Sequence, residues 1–297
     1  MTESTANDKV LKIGRFELVF PADHKLDVYQ QTYKLYDQIL GQVARLVGAK
    51  YPDATAIDVG ANIGDSAALI CRHRDMPVLC IEGHPRYAAY LRNNLARLPA
   101  GIEIAECLLG PAPGMVPRGS LIEGGGTATL KRSAATAGVG EELPVRLLSD
   151  VLHDHPQFAK PRLIKLDTDG ADFEILISSM DVIGESRPVL YFEYSLAERQ
   201  DTLKTSIAAI SRLAAAGYNI FLVYDNFGNL MQVVSGDAAN RFMDLNRYVM
   251  SQLLFGPSIH YLDVCAFAAG DEDLAQGLYR YQCGLVEEYA RRAGYQV

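Results

Sequence analysis

The stretch that decides the fold is AIDVGANIGDS, residues 56–66. It combines a short apolar strand, AIDV, with a turn that contains Gly60 and Gly64 and with the first residues of a helix. Glycine permits the positive φ angles and the close backbone approach that a ligand-binding turn requires. In open α/β sheets, ligands bind outside the carboxyl ends of the parallel strands. The stretch therefore predicts the first strand–turn–helix unit of an α/β sheet, with a ligand site at its turn.

The chain beyond this stretch alternates short apolar runs with helical segments. Such alternation predicts a doubly wound, mostly parallel sheet with helices on both faces. We predict seven strands, at Ala56–Val59, Val78–Ile81, Ile102–Leu108, Leu163–Leu166, Val189–Phe192, Ile220–Val223 and Ile259–Ala268. The predicted helices are Ser66–His73, Arg86–Leu98, Asp172–Ile177, Leu203–Ala216 and Leu274–Ala293. The last strand is long and precedes the final helix, which favours an antiparallel addition to the sheet.

The N-terminal part has a different pattern. Val10–Phe20 alternates in the manner of a β-hairpin, and Asp27–Ala49 carries apolar residues at helical spacing. We expect this hairpin and helix, within residues 1–53, to pack on one domain that comprises residues 54–297.

A long segment between the third and fourth strands, Pro111–Glu142, is rich in Gly, Pro, Ala and Ser. A loop of this length in a compact domain is usually either functional or disordered. Because it would lie above the carboxyl edge of the sheet, we interpret it as a lid or a substrate loop.

The residues of the first turn discriminate between ligands. A dinucleotide fingerprint, G-x-G-x-x-G, would need glycines where the chain has Asn62 and Asp65. Asp58 lies just before the turn, where a carboxylate would repel a pyrophosphate but suits a ligand with an ammonium and a sulfonium group. We therefore interpret the turn as a site for S-adenosylmethionine (SAM). An ordinary turn in which Asp58 holds loop amides is the alternative.

The second strand ends at Glu82, within VLCIEGHP, residues 78–85. An acidic residue here can accept hydrogen bonds from both ribose hydroxyls, and the nucleotide-binding pattern places one about 20 residues after the first turn. The third strand ends in ECL, residues 106–108, where the adenine ring would lie, with Cys107 as the candidate contact. A solvated strand end is the alternative role for Glu82.

Carboxylates and hydroxyls also follow the later strands. The fourth strand runs into KLDTDGAD, residues 165–172, the fifth reaches Glu193 and Tyr194, and the sixth reaches Asp225 and Asn226. Because the carboxyl ends of parallel strands share one edge, we expect these side chains to gather beside the cofactor. Capping of the next helix is the alternative for the aspartates of the fourth strand.

Taken together, these pieces resemble the FkbM family of SAM-dependent O-methyltransferases. The likeness lies in AIDVGANIGDSA (56–67), CIEGHP (80–85), GTATL (126–130), IKLDTDGADFEIL (164–176), LYFEYS (190–195) and VYDNFGN (223–229). The resemblance implies a class I methyltransferase fold and methylation of a hydroxyl, commonly on a sugar or a secondary metabolite. It also implies that Asp58, Gly60, Asn62 and Gly64 hold the methionine part of SAM. The Gly/Ala/Ser-rich stretch 124–140 departs from the family pattern, so the resemblance does not carry the substrate over.

These considerations give two sets of site residues. We predict that the cofactor is held by Asp58, Gly60, Asn62, Gly64, Asp65, Ser66, Glu82, Gly83, Cys107 and Asp167. We predict that the acceptor is contacted by Gly126, Thr127, Glu193, Tyr194, Asp225 and Asn226.

Methyl transfer requires alignment of the acceptor oxygen and removal of its proton. We predict that Asp167 or Asp169 orients or deprotonates the acceptor hydroxyl, with His84 as a rival base because of its intrinsic pKa. The alternative role for Asp167, Asp169, Glu193 and Asp225 is to bind a Mg²⁺ ion, since hard cations prefer oxygen ligands. We do not favour a metal requirement.

Composition limits the class of partner. The chain has 297 residues, 49% of them hydrophobic, and a formal net charge of −8. Its basic residues cluster in no more than pairs, so we expect no nucleic-acid partner. No apolar run reaches the roughly 20 residues of a membrane span, and Met1–Lys9 lacks the apolar core of a signal peptide. The five cysteines are scattered without a CxxC pair, which favours free thiols in a cytoplasmic protein and no zinc site.

Two rival functions share this architecture. Asp58 and Asn62 argue against a nicotinamide-dependent oxidoreductase. A non-enzymatic interaction module has no evident use for Glu82 and the glycine turn. For the acceptor, a sugar hydroxyl is the preferred prediction and a polyketide or peptide-derived metabolite the alternative. The sequence does not indicate an oligomeric state.

Overall fold

The centre of the molecule is a mixed β-sheet. The computed structural model describes residues 8–36, 38–130, 141–168, 170–196, 201–256 and 259–296. The strands are β1 Lys9–Ile13, β2 Phe16–Phe20, β3 Ala56–Val59, β4 Val78–Ile81, β5 Ile102–Ala105, β6 Leu108–Leu109, β7 Gly114–Pro117, β8 Leu121–Gly124, β9 Thr127–Leu130, β10 Glu142–Arg146, β11 Leu163–Leu166, β12 Val189–Ser195, β13 Tyr218–Asp225, β14 Leu230–Ser235 and β15 Tyr261–Ala268. The helices are α1 Leu26–Thr32, α2 Gln38–Lys50, α3 Asp65–Ile70, α4 Pro85–Asn94, α5 Leu148–Asp154, α6 Asp172–Ser178, α7 Met180–Ser186, α8 Thr202–Ala215, α9 Ala238–Phe255 and α10 Glu272–Arg292.

The central sheet has the strand order β14-β13-β15-β12-β11-β3-β4-β5. Strands β3, β4, β5, β11 and β12 pair in parallel, whereas β15 is antiparallel to both of its neighbours, β12 and β13. The predicted class I methyltransferase sheet with an antiparallel last strand is therefore confirmed. The predicted number of strands is wrong, because β14 adds an eighth strand, antiparallel to β13. This edge strand buries little more than Val234, so it has no continuous apolar run to reveal it.

The middle strands are buried on both faces. Every residue of β3, β4 and β11 is buried, as expected for parallel strands that helices cover on both sides. Two of these buried residues are charged, Asp58 on β3 and Lys165 on β11, and they lie directly opposite each other in the strand register. A charge is expensive to bury without a partner, so this pair marks a special position in an otherwise apolar sheet.

The N-terminal hairpin is attached to the first turn by one buried side chain. The Asn94 amide at the end of α4 accepts a hydrogen bond from the backbone N–H of Val19 (2.8 Å) and donates to the Val19 carbonyl (2.8 Å). The same amide nitrogen donates to the carbonyl of Ile63 (3.0 Å), within the first turn. The amide thus connects β2 with the turn that the sequence marks as the ligand site.

The predicted helix Asp27–Ala49 is wrong as one element, because the structure has two helices there, α1 and α2. Tyr33 ends α1 in an extended conformation (φ −110°, ψ 108°). Its ring packs against that of Phe227, with 4.5 Å between the ring centroids. We attribute the break to this tertiary contact, which helical periodicity does not reveal.

The segment Pro111–Glu142 is more regular than the predicted loop. Strand β7 pairs with β10, and β8 forms a hairpin with β9. Residues 131–140 lie outside the described residues. The helices α5, α7 and α9 are further elements that the sequence analysis did not predict. Among the described residues, none of the helices combines the length and the apolar character that a bilayer span requires.

Candidate active site

A cleft with about 480 Å³ of space, part of it open to solvent, lies at the carboxyl edge of β3, β4, β5 and β11. Its walls are Val59, Gly60, Asn62, Ile81, Glu82, Gly83, Tyr87, Cys107, Leu108, Leu109, Ala128, Asp167 and Thr168. Six of the predicted cofactor residues are brought together here: Gly60, Asn62, Glu82, Gly83, Cys107 and Asp167. The cleft is apolar beside Leu108 and Leu109 and polar where β3 and β11 end, which suits a ligand with an aromatic base and a polar tail.

The first turn brings β3 against the end of β11. Gly60 has a φ of +72°, and a Cβ atom there would overlap the backbone carbonyl oxygen of Asp167. Only glycine fits such a contact without displacing the backbone. Asn62 also has a positive φ, +49°, and its side-chain amide donates a hydrogen bond to the Gly126 carbonyl (2.7 Å). The turn is therefore fixed from two sides, by β11 and by the β8–β9 hairpin.

Glu82 is held in place by the backbone around it. One carboxylate oxygen accepts a hydrogen bond from the Asn62 N–H (2.8 Å) and the other from the His84 N–H (2.6 Å). Burial raises the pKa of Glu82 to about 7, although these two hydrogen bonds act in the opposite direction. Each carboxylate oxygen can accept more than one hydrogen bond. A fixed carboxylate with free acceptor capacity on the cleft wall can receive two hydroxyl groups.

Beside the cleft lies a buried charge cluster around Lys165. Its ammonium nitrogen is 3.4 Å from an Asp58 carboxylate oxygen and 3.5 Å from one of Asp167, and it donates a hydrogen bond to the Gly60 carbonyl (3.0 Å). Burial favours the neutral amine, but Asp167, Asp58 and Asp65 together raise the pKa of Lys165. We conclude that the lysine is charged and connects the ends of β3 and β11.

The role of Asp58 differs from the simplest form of the prediction. Its side chain is completely buried, it does not line the cleft, and burial raises its pKa to about 6 even though Lys165 acts against the rise. Its negative charge is directed at Lys165 rather than at the cleft. Sequence reasoning missed Lys165; the signal was a lysine in the middle of the apolar strand LIKL.

Three other predicted cofactor residues lie behind the first turn. Gly64 precedes α3 and faces the side chain of Leu91 on α4. Asp65 is the first residue of α3, and burial raises its pKa. Ser66 lies on the same helix and lines a second cavity, next to the cleft.

The second cavity lies between the sheet and the break between α1 and α2, and it has about 540 Å³ of space, part of it open to solvent. It is lined by Leu35, Tyr36, Ile39, Leu40, Ser66, Leu69, Lys165, Asp167, Tyr191, Glu193, Gly228, Tyr261 and Asp263. Asp167 lines both the cleft and this cavity, and half of its side chain is exposed. Asp167 therefore borders both spaces.

The β8–β9 hairpin covers one side of the cleft, and it contains Gly126 and Thr127, two residues that we predict to contact the acceptor. The Gly126 carbonyl accepts the hydrogen bond from Asn62, and the Thr127 carbonyl accepts one from the Tyr87 hydroxyl (3.3 Å). His84 is turned toward this hairpin: its Nε2 lies 3.1 Å from a Glu123 carboxylate oxygen, and burial lowers its pKa. His84 is not on the cleft wall, so its geometry does not favour the rival base.

The structure places Tyr194, one of the predicted acceptor contacts, in the core. Its ring is buried between Phe173 and Phe242, and its hydroxyl donates to the Asn246 side chain (2.7 Å). Successive residues of a strand point to opposite faces. Glu193 lines the second cavity, so Tyr194 must enter the core on the other face.

Asp225 and Asn226 have structural contacts at the end of β13. One Asp225 oxygen accepts hydrogen bonds from the N–H groups of Phe227 and Asn229 (2.9 Å each), which shapes the β13–β14 turn. The Asn226 side chain accepts one from the His260 N–H (3.3 Å). Neither residue lines the second cavity, and their predicted acceptor contacts stay predictions. Asp169, one of the two predicted bases, lies outside the described residues.

In the ranges that the structure describes, no group of three or more His, Cys, Asp and Glu side chains could hold a metal. The carboxylates considered for Mg²⁺ are thus not assembled as a ligand set in the described part of the chain.

Comparison with known proteins matches residues 58–220 to the model of the methyltransferase FkbM domain. The methyltransferase FkbM from Methylobacillus flagellatus is 23% identical over 55% of this chain and 37% of that protein, with a TM-score of 0.38. The SAM-dependent methyltransferase from Agrobacterium tumefaciens is 10% identical over 90% and 72% of the two chains (TM-score 0.43). Precorrin-6y C5,15-methyltransferase from Geobacter metallireducens is 12% identical over 75% and 86% (TM-score 0.36). No curated protein matches the chain.

Proposed function

Because the chain belongs to the FkbM methyltransferase family, we propose that it transfers the methyl group of SAM to a hydroxyl of a small-molecule or glycan acceptor. The observation that carries the proposal is the cleft that joins the first turn, Glu82 and Asp167 at one sheet edge. A sugar hydroxyl is the acceptor that we favour.

The cleft has polar atoms that suit the cofactor. The Asn62 side-chain oxygen and the Thr168 hydroxyl are buried and accept or donate no hydrogen bond of normal geometry among the described residues, and a buried polar group without a partner costs about 1–3 kcal/mol. Both residues line the cleft, where the polar tail of the cofactor would lie. In this proposal Glu82 accepts the ribose hydroxyls, Asn62 and Thr168 contact the polar tail, and Cys107 with Leu108 lies beside the adenine.

The bound cofactor would supply a methyl group activated by a positively charged sulfur. The residues of the chain would position the acceptor oxygen and take up its proton. The hydroxyl proton passes to the Asp167 carboxylate, which lines both the cleft and the neighbouring cavity. Lys165 orients this carboxylate from the buried side. Asp169 remains a predicted alternative base.

The first test is calorimetric titration of the full chain with SAM, with S-adenosylhomocysteine and with NAD. We expect binding of the first two and none of NAD. Glu82→Gln should weaken SAM binding, whereas Glu185→Gln, the same change at a carboxylate that is 69% exposed, should not. NAD binding, or indifference to both sulfur compounds at millimolar concentration, would overturn the proposal.

A further inference from the structure

A buried histidine, His24, lies in the segment between β2 and α1. Its ring meets those of Phe20 and Tyr87 edge-on, with 5.8 Å and 6.4 Å between the ring centroids. Tyr87 is a wall residue of the cofactor cleft, whereas His24 does not line the cleft itself. The histidine therefore lies directly behind the cleft wall. It also precedes residues 58–220, the range that the family model matches.

The turn of the β8–β9 hairpin packs against the same ring. Gly126 has a φ of +108°, and a Cβ atom there would lie 2.7 Å from Cγ of His24, which is an overlap. Beside this contact the Lys25 N–H donates a hydrogen bond to the Gly125 carbonyl (3.1 Å). The Gly126 carbonyl accepts the hydrogen bond from the Asn62 amide (2.7 Å). His24 and Asn62 thus approach one hairpin turn from two different segments.

The hydrogen bonds of these two side chains leave one donor and one acceptor. His24 Nδ1 accepts a hydrogen bond from the Leu26 N–H (3.2 Å), so in a neutral ring the proton is on Nε2. The Asn62 side-chain nitrogen donates to Gly126, so its oxygen is the acceptor that remains. Both remaining atoms are buried and make no hydrogen bond of normal geometry in the described part of the chain.

The remaining donor and acceptor attract each other. Burial lowers the pKa of His24, whereas a hydrogen bond with the Asn62 side chain acts in the opposite direction. The lowered pKa keeps the ring neutral at neutral pH. A neutral ring with its proton on Nε2 donates to the Asn62 oxygen, while Gly126 accepts from the Asn62 nitrogen. The Asn62 amide is therefore restrained at both of its polar atoms.

Asn62 transmits this restraint to Glu82, the carboxylate that we assign to the ribose. The Asn62 N–H donates to one Glu82 carboxylate oxygen (2.8 Å). The φ angle of Asn62, +49°, is uncommon for a residue with a side chain. A side chain that is restrained at both amide atoms stabilises this conformation, and the conformation directs the N–H at Glu82.

We propose that His24 is a positioning residue of the donor site, which fixes the Asn62 side chain and, through Asn62, holds the Glu82 carboxylate in place for the ribose of SAM. The proposal rests on the proposed methyl transfer and adds a residue of the N-terminal segment to its donor site. His24 acts through Asn62 and not by contact with the cofactor, because it lies behind the cleft wall.

The test uses two substitutions that each retain the role of one ring nitrogen. Asparagine can place an amide oxygen near the position of Nδ1, and glutamine can place an amide N–H near that of Nε2. His24→Asn therefore keeps an acceptor for Leu26 and loses the donor to Asn62, whereas His24→Gln does the reverse. In calorimetric titration of the full chain, S-adenosylhomocysteine should bind about tenfold more weakly to His24→Asn. His24→Gln should bind it within about twofold of the wild-type affinity.

Two controls distinguish positioning from a merely structural role. His153→Asn, the same change at an exposed histidine on α5, should leave the affinity unchanged. Urea unfolding of both His24 variants gives their stabilities. A structural role would weaken binding in proportion to the stability that each variant loses. The proposal predicts instead that the affinity follows the donor to Asn62, whichever variant is the more stable.

A double-variant comparison tests the route through Asn62. Asn62→Gly removes the side chain and retains both the N–H and the positive φ. In that background His24→Asn should change the affinity for S-adenosylhomocysteine by less than about twofold, because two members of one network are not additive. A full tenfold loss in that background would overturn the route. Should Asn62→Gly bind too weakly to measure, the comparison of His24→Gln with His24→Asn decides.

A measurement on the wild-type chain needs no variant. Long-range ¹H–¹⁵N correlation spectra should show the proton of the neutral His24 ring on Nε2, and a proton on Nδ1 would overturn the role. Equal affinity of wild type and His24→Asn, or equal losses in both His24 variants, would also overturn it and leave the proposed function standing. A wild-type chain that does not bind S-adenosylhomocysteine would instead overturn the proposed function, and this role with it.

Discussion

Replacement of Lys165 by methionine would leave the buried Asp58 without its counter-charge. At 3.4 Å, and with an effective dielectric constant of about 20, the attraction between the two charges is about 5 kcal/mol. Removal of one partner from a buried pair typically costs about 3–5 kcal/mol, because the remaining charge stays desolvated. We therefore expect Lys165→Met to lower the free energy of unfolding by about 3–5 kcal/mol at pH 8. The carboxylate of Asp167 is half exposed and contributes less.

The pH dependence of this loss follows from Asp58. Its folded-state pKa is already raised, to about 6, above the unfolded value of about 3.9, and removal of the ammonium should raise it further. A raised carboxyl pKa means that stability is greatest below the unfolded pKa and falls as the pH rises through the folded pKa. The difference between wild type and variant should therefore widen from pH 5.5 to pH 8.

The assay is urea unfolding of wild type, Lys165→Met and Lys160→Met at both pH values. Lys160 is 77% exposed and pairs with Glu185 at 3.5 Å, so its replacement should change stability by no more than about 0.5 kcal/mol. A loss under about 1 kcal/mol for Lys165→Met, or a loss of equal size at both pH values, would refute the assignment of a charged buried cluster.

Three further predictions concern the cleft. Glu82 must be ionised to accept two hydroxyl groups, so SAM affinity should rise as the pH rises through about 7, the pKa of that carboxyl. In Glu82→Gln, SAM affinity should be about tenfold weaker and independent of pH. An affinity of this variant that still changes with pH would contradict the prediction. Asp167→Asn should lower the turnover number by about 100-fold with nearly unchanged SAM affinity. Asp169→Asn should be measured in parallel, because a variant that keeps its turnover number excludes the substituted residue as the base. Tyr194→Phe should cost about 1 kcal/mol in chemical unfolding, because its hydroxyl bonds to Asn246, yet retain full activity; lost activity would restore the predicted acceptor contact.

The central strands could be predicted from the sequence because their burial leaves a simple pattern. The bounds of β3, β4 and β11 coincide with the predicted ones, since burial on both faces demands uninterrupted apolar residues. The edge strand β14 exposes most of its side chains and has no such run. The break at Tyr33 depends on Phe227, almost 200 residues later, and local periodicity carries no information about that contact.

The candidate site was predictable where it follows strand ends. Gly60, Asn62 and Glu82 all end or follow a recognisable strand, and the structure gathers them on one cleft wall. Lys165 was missed because it lies within a strand, where its partner can be identified only from the register with β3. The core position of Tyr194 could have been predicted, because successive strand residues point to opposite faces and Tyr194 follows Glu193 directly.

The contact of Gly60 with the Asp167 carbonyl joins the end of β3 to the end of β11 through backbone alone. A change of the Asp167 side chain cannot relieve that contact, because the atom that a Cβ at position 60 would meet is a carbonyl oxygen. Variants that reshape the cleft should therefore keep Gly60 and exchange other residues of its wall, such as Cys107 or Leu108.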